Sequence, residues 1–140
     1  MLRSALPILA GGPFLSDGGL ETSLVFLDGV ELPHFAAFVL LADEAGRERL
    51  RRYYRPYLAL CAETPGTGFV LETPTWRANP AWARRLGVDD EALAAVNRNA
   101  VQLLRGLRHE WQPRLSGPVL LSGIVGPAGM DGALVTRING

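Results

Sequence analysis

The sequence predicts an α/β domain built on a parallel sheet. Two observations carry this. Short apolar runs at Phe14-Leu15, Gly68 to Leu71 and Val119 to Val125 each end in polar or glycine-rich residues, and the segments between them hold long helical periodicities. Strands joined through helices run parallel with right-handed crossovers. Their carboxyl ends then share one face, so Asp17-Gly18-Gly19, Thr73-Pro74-Thr75 and Gly126-Pro127 converge there. Both barrels of alternating strands and helices and open doubly wound sheets bind ligands at that face.

The bulk numbers bound the rest. A chain of 140 residues suffices for one domain with a sizeable core and is too short for two. Lys+Arg 14 balance Asp+Glu 14, so no long-range field points to nucleic acid or an anionic membrane, and the expected partner is a small molecule. Hydrophobic residues make up 48%, yet no uninterrupted apolar stretch is long enough to span a bilayer. The N-terminus, Met1 to Gly12, carries only a short apolar patch broken by Pro7, too weak for a secretory signal. Cys61 is the single cysteine, which excludes an internal disulfide, and with only His34 and His109 beside it no zinc site can be built. A cytoplasmic location is expected.

Taken in order, the first strand ends in Ser16-Asp17-Gly18-Gly19, where glycine permits a sharp turn and close approach to a ligand, leaving Asp17 facing a pocket. Asp17 can equally cap the helix begun by Leu20-Glu21-Thr22, and Glu21 suits that helix's first turn through the dipole. Val25 to His34 reads as a connection, His34 as a surface histidine, and Phe35 to Leu41 as a cover for one end of the core. From Gly46 to Glu63 runs an amphipathic helix with Leu50, Tyr53, Tyr54, Tyr57, Leu58 and Cys61 on its apolar stripe, and Pro56 should kink it. Arg47, Arg51, Arg52 and Arg55 read as its solvated face, and Cys61 as an inert buried thiol.

The second strand, Gly68 to Leu71, runs into Glu72-Thr73-Pro74-Thr75, which either turns the chain or supplies a site. Pro80 to Leu86 is a short helical turn closed by Gly87, with Trp76 and Trp82 as pocket walls or core. Asp89 or Asp90 caps a helix to about Trp111, apolar at Leu93, Val96, Ala100, Leu103, Leu104, Leu107 and Trp111. The third strand ends in Gly126-Pro127-Ala128-Gly129, with Gly123 as a point of close approach, and Met130 to Gly140 shows no periodicity. No G-x-G-x-x-G or P-loop follows any strand, which weighs against a nucleotide-binding α/β domain.

Three runs together, SDGGLETSL from Ser16, LETPTWRANPAWARRLG from Leu71 and SGIVGP from Ser122, resemble the N-terminal part of the homocysteine S-methyltransferase family. The resemblance implies a partial (β/α)8 TIM barrel, its first three strand-helix units, with residues 1–140 as the N-terminal portion of a homocysteine-binding barrel domain. It also implies transfer of a methyl group from a small donor to the thiol of homocysteine, giving methionine, with zinc held by three cysteines as cofactor. Asp17 and Gly18 fall on the family's Asp-Gly motif, and Thr73 and Thr75 on its Thr-x-Thr motif, both lining the substrate pocket. Glu21, near Asp17, is a further candidate for the substrate ammonium.

This sequence departs from the pattern in length and cysteines. A barrel of this kind needs roughly 250 residues, and the zinc-binding cysteines are absent here. The expectation is therefore a portion of a longer enzyme, inactive by itself and exposing unpaired strand edges and apolar barrel interior. The alternative is a non-catalytic partial barrel that binds a companion or forms a homo-oligomer through its open strands.

Overall fold

A computed structural model of the chain describes residues 6–127. The start of the N-terminal apolar patch, the Ala128-Gly129 end of the third exit loop and the aperiodic stretch from Met130 to Gly140 lie outside the described residues.

Three parallel strands form the sheet in the order β1 (Phe14–Ser16), β2 (Gly68–Glu72), β3 (Val119–Ser122). Leu15 lies opposite Phe69, and Phe69 opposite Val119, so one register row crosses all three strands. The α/β class with parallel strands is thus present. Side chains alternate across a sheet, and here the alternation separates two environments. Phe69 and Leu71 are fully buried, whereas Val70 and Glu72 are only partly so.

The covering layer comes from two long helices, α2 (Glu44–Ala62) and α4 (Asp90–Trp111). Leu50, Tyr54, Leu58 and Cys61 of α2 and Ala100, Leu104 and Leu107 of α4 share one core with Phe69, Leu71 and Val119. Truncating a fully buried leucine such as Leu104 in a core of this kind costs about 2–5 kcal/mol. Ala37, Phe38 and Leu41, from a 3-10 turn ahead of α2, are buried and close one end of this core, as the sequence suggests.

Each helix starts where the chemistry of its first residues dictates. Asp43 accepts a hydrogen bond from the Gly46 N–H at 2.7 Å, so α2 begins two residues earlier than the periodicity predicts. Asp89, rather than Asp90, caps α4 through the Ala92 N–H. Asn79 caps the short α3 (Pro80–Arg85) by accepting from Ala81 and Trp82, and Gly87 ends it in the left-handed region at φ 68°. α2 continues through Pro56 as one uninterrupted helix.

Four expectations need correction. Gly19 at φ 64°, with no side-chain cap, starts α1 (Leu20–Thr22), so Asp17 does not cap it. α1 runs on as a π-helical segment, Ser23–Leu27, so Val25 to Leu27 are helical where a plain connection is expected. β3 stops at Ser122, because the backbone of Ile124 bonds to threonine side chains instead of a strand. Finally, Gly123 has open space around it. The close approach is at Gly126, where a Cβ would run into the Trp76 carbonyl.

No helix among the described residues is long and apolar enough to cross a membrane.

Candidate functional site

The carboxyl ends of β1 and β2 and the chain leaving β3 enclose a cavity of about 200 Å³. Its lining is Asp17, Gly18, Gly19, Leu20 and Glu21 from the first exit, Glu72, Thr73, Pro74 and Trp76 from the second, and Ile124 from the third. Parallel topology puts these residues together although they are far apart in sequence. Of the five residues singled out by sequence, Asp17, Gly18, Glu21 and Thr73 line this cavity. Thr75 does not.

Proton accounting explains what the two threonines do. Each hydroxyl has one hydrogen to donate. Thr75 Oγ1 donates to the Ile124 carbonyl at 2.7 Å, so at the 2.7 Å contact between the hydroxyls Thr73 is the donor. Thr73 Oγ1 in turn accepts from the Ile124 N–H at 2.9 Å. Both side chains are buried, and together they clamp the exit of β2 to the chain after β3. Thr73 keeps only acceptor capacity toward the cavity.

Asp17 is held differently. Its Oδ2 lies 2.8 Å from the Tyr53 hydroxyl, which projects from the apolar stripe of α2. Its Oδ1 is buried and has no hydrogen-bond partner among the described residues. Burial pushes the carboxyl above its ordinary value, the Tyr53 hydrogen bond opposes this, and the nearby charges of Glu72 and Glu21 push it further up. None of the salt bridges among the described residues involves Asp17, Glu21 or Glu72. The cavity is therefore acidic, partly desolvated and, among the described residues, lined by no cation.

Three tyrosines of α2, overlooked by reasoning from sequence, support this rim. Tyr53 and Tyr57 each lie 3.0 Å from the Gly18 carbonyl, and Tyr54 donates to the Glu72 carbonyl at 2.7 Å. A signal was present, since a tyrosine on a buried stripe needs a partner for its polar tip.

Trp76 is 42% exposed and forms one wall. The Arg77 guanidinium lies over both the Trp76 and Trp82 rings, 4.4 and 4.0 Å from their centroids, which ties the wall to α3. His34 is exposed and packs against Trp82 at 5.6 Å between ring centroids.

These residues do not fit a zinc ion. Among the described residues no three His, Cys, Asp or Glu side chains converge as a metal-binding group. Cys61 is buried, burial raises its thiol's pKa, and its Sγ lies 3.5 and 3.6 Å from the Gly68 and Thr67 carbonyls rather than in the cavity.

The model of a protein family described as homocysteine S-methyltransferase matches residues 14–136. Searches of curated proteins and of solved structures gave no match.

Proposed function

This chain belongs to the homocysteine S-methyltransferase family, and on that premise we propose that it forms the amino-acid-binding end of a (β/α)8 barrel that methylates the thiol of homocysteine, giving methionine. In this reading residues 1–140 are the N-terminal portion of the barrel domain. The observation that carries it is the Asp17 carboxylate, which lines the acidic cavity with one oxygen held by Tyr53 and the other buried and without a hydrogen-bond partner among the described residues. An α-ammonium group supplies the missing positive charge and up to three hydrogen-bond donors. Bonded to Asp17 Oδ1, it contributes about 1.5–3 kcal/mol. Glu21 and Glu72 add negative potential, the Gly18-Gly19 turn gives close backbone access, and Thr73 offers an acceptor. Thr75 acts by holding Thr73 in place.

Methyl transfer needs the substrate sulfur as thiolate, which zinc supplies in the family. The described residues contain no group fitted to that task. We assign to them capture and orientation of the amino acid, and the metal ligands to sequence outside these residues.

Calorimetric titration of homocysteine into the chain, and into Asp17→Ala, tests this. The reading requires binding that Asp17→Ala weakens; equal heats and affinities for the two proteins would remove its basis.

A second reading, self-association, draws on a different region. Val70, Leu120 and Leu121 are only partly buried and line a groove of about 1060 Å³ on the β3 side of the sheet. Static light scattering on the purified chain separates the readings, since a stable monomer at high concentration would contradict pairing through this region.

A further inference from the structure

The Tyr53 hydroxyl lies between two acceptors, 2.8 Å from Asp17 Oδ2 and 3.0 Å from the Gly18 carbonyl, and has a single hydrogen. Tyr57 donates to the same Gly18 carbonyl at 3.0 Å. Gly18 is therefore served whichever way the Tyr53 hydrogen points. When Asp17 is ionised, Tyr53 donates to Oδ2 and Tyr57 keeps the carbonyl. When Asp17 carries a proton on Oδ2, that proton is donated to Tyr53 Oη, and Tyr53 turns its hydrogen to Gly18. Both arrangements satisfy these groups by rotation of one hydroxyl, with the heavy atoms in place.

We propose that Tyr53 is a positioning residue that aims Asp17 Oδ1 at the cavity and lets Asp17 change charge as a cationic ligand enters or leaves. The inference rests on the reading of Asp17 as the ammonium partner. The groups facing Asp17 are Tyr53 and Tyr54 of α2, Glu21 of α1 and Glu72 of β2, with Tyr57 on the neighbouring Gly18 carbonyl and no cation salt-bridged to Asp17 among the described residues. Against two like charges and partial burial, Tyr53 is the side-chain donor favouring the ionised form. Tyr53 is itself 7% exposed, and burial together with the Asp17 charge raises its own pKa, so it remains a neutral donor.

The test follows the Asp17 carboxyl carbon by NMR across pH in the ligand-free chain, for wild type, Tyr53→Phe and Tyr57→Phe. Tyr53→Phe should bind the Asp17 proton about tenfold more tightly, moving its titration upward by about one pH unit. Tyr57→Phe leaves the Tyr53 contact to Asp17 intact but makes the exposed Gly18 carbonyl rely on Tyr53 or solvent, so it should move the titration in the same direction by less. Homocysteine titrations should then show the acid limb of binding displaced in each variant by the interval its Asp17 titration moves, the larger in Tyr53→Phe. An unshifted Asp17 in Tyr53→Phe, or an equal shift in Tyr57→Phe, overturns the proposal. Should Tyr53→Phe not fold, fluorotyrosine labelling strengthens the phenol donor without removing it. It must lower the Asp17 titration, and a titration left in place overturns the proposal in that case. A shifted Asp17 in a chain that binds no homocysteine would uphold the role of Tyr53 and defeat the homocysteine reading, so the two failures are distinguishable.

Discussion

Two groups of acids sit in opposite environments in this molecule. Glu44 and Glu48, on the exposed face of α2, are tied to Arg47, Arg51 and Arg55, and these hydrogen bonds hold both carboxyls below their ordinary values. Asp17, Glu21 and Glu72, around the strand ends, have no such partners among the described residues, and burial with like charge nearby pushes Asp17 up. A charge answered by its neighbours marks a solvated surface. A charge that the fold partly buries, orients and leaves unanswered is the better marker of a site.

The largest effect should come from removing the unanswered charge. Asp17→Ala is expected to weaken homocysteine binding by about 1.5–3 kcal/mol, roughly ten- to a hundred-fold in calorimetric Kd. Next is the frame that holds the strand ends together. Thr75→Val strands the Ile124 carbonyl and removes the acceptor used by Thr73, and should lower stability by about 2 kcal/mol in urea unfolding. An unchanged urea midpoint would mean that the clamp contributes nothing.

A smaller effect of opposite sign is expected from Asp17→Asn. The folded state holds the Asp17 proton more tightly than the unfolded state does, with its ordinary value of 3.8. The contribution to stability is therefore fully present below that value and is lost as pH rises through the folded value. The neutral variant should be more stable than wild type near pH 7, and the two should converge toward pH 3. Thermal unfolding across pH reads this directly, and wild type being the more stable at neutral pH would contradict it. Smallest of all, Glu44→Gln and Glu48→Gln should leave homocysteine binding and the urea midpoint unchanged, since both carboxyls are solvated. A loss of binding in either would dissolve the contrast.

The contrast was half visible in the sequence. The arginines of α2 read as a solvated face because they lie off an apolar stripe, a purely local pattern. α4 was legible for the same reason, and so were the three strands, since apolar runs ending in Asp-Gly-Gly, Thr-Pro-Thr and Gly-Pro are compact signals. Asp17 beside Thr73 followed from parallel topology alone. The partners were not legible, because Tyr53 meets Asp17 from 36 residues away and Thr75 meets Ile124 from 49. No local period encodes such pairings. The same limit explains the two glycines. Gly123 and Gly126 look equivalent as residues, and only the packing of Trp76 decides which one must lack a side chain.

The central claim is that the strand ends recognise an ammonium group through Asp17. It is tested most directly by comparing homocysteine with 4-mercaptobutyrate, which keeps the chain length, thiol and carboxylate but lacks the amine, in calorimetric titrations of the same protein. The account predicts at least tenfold weaker binding of the amine-free compound. Equal affinity for the two would contradict it.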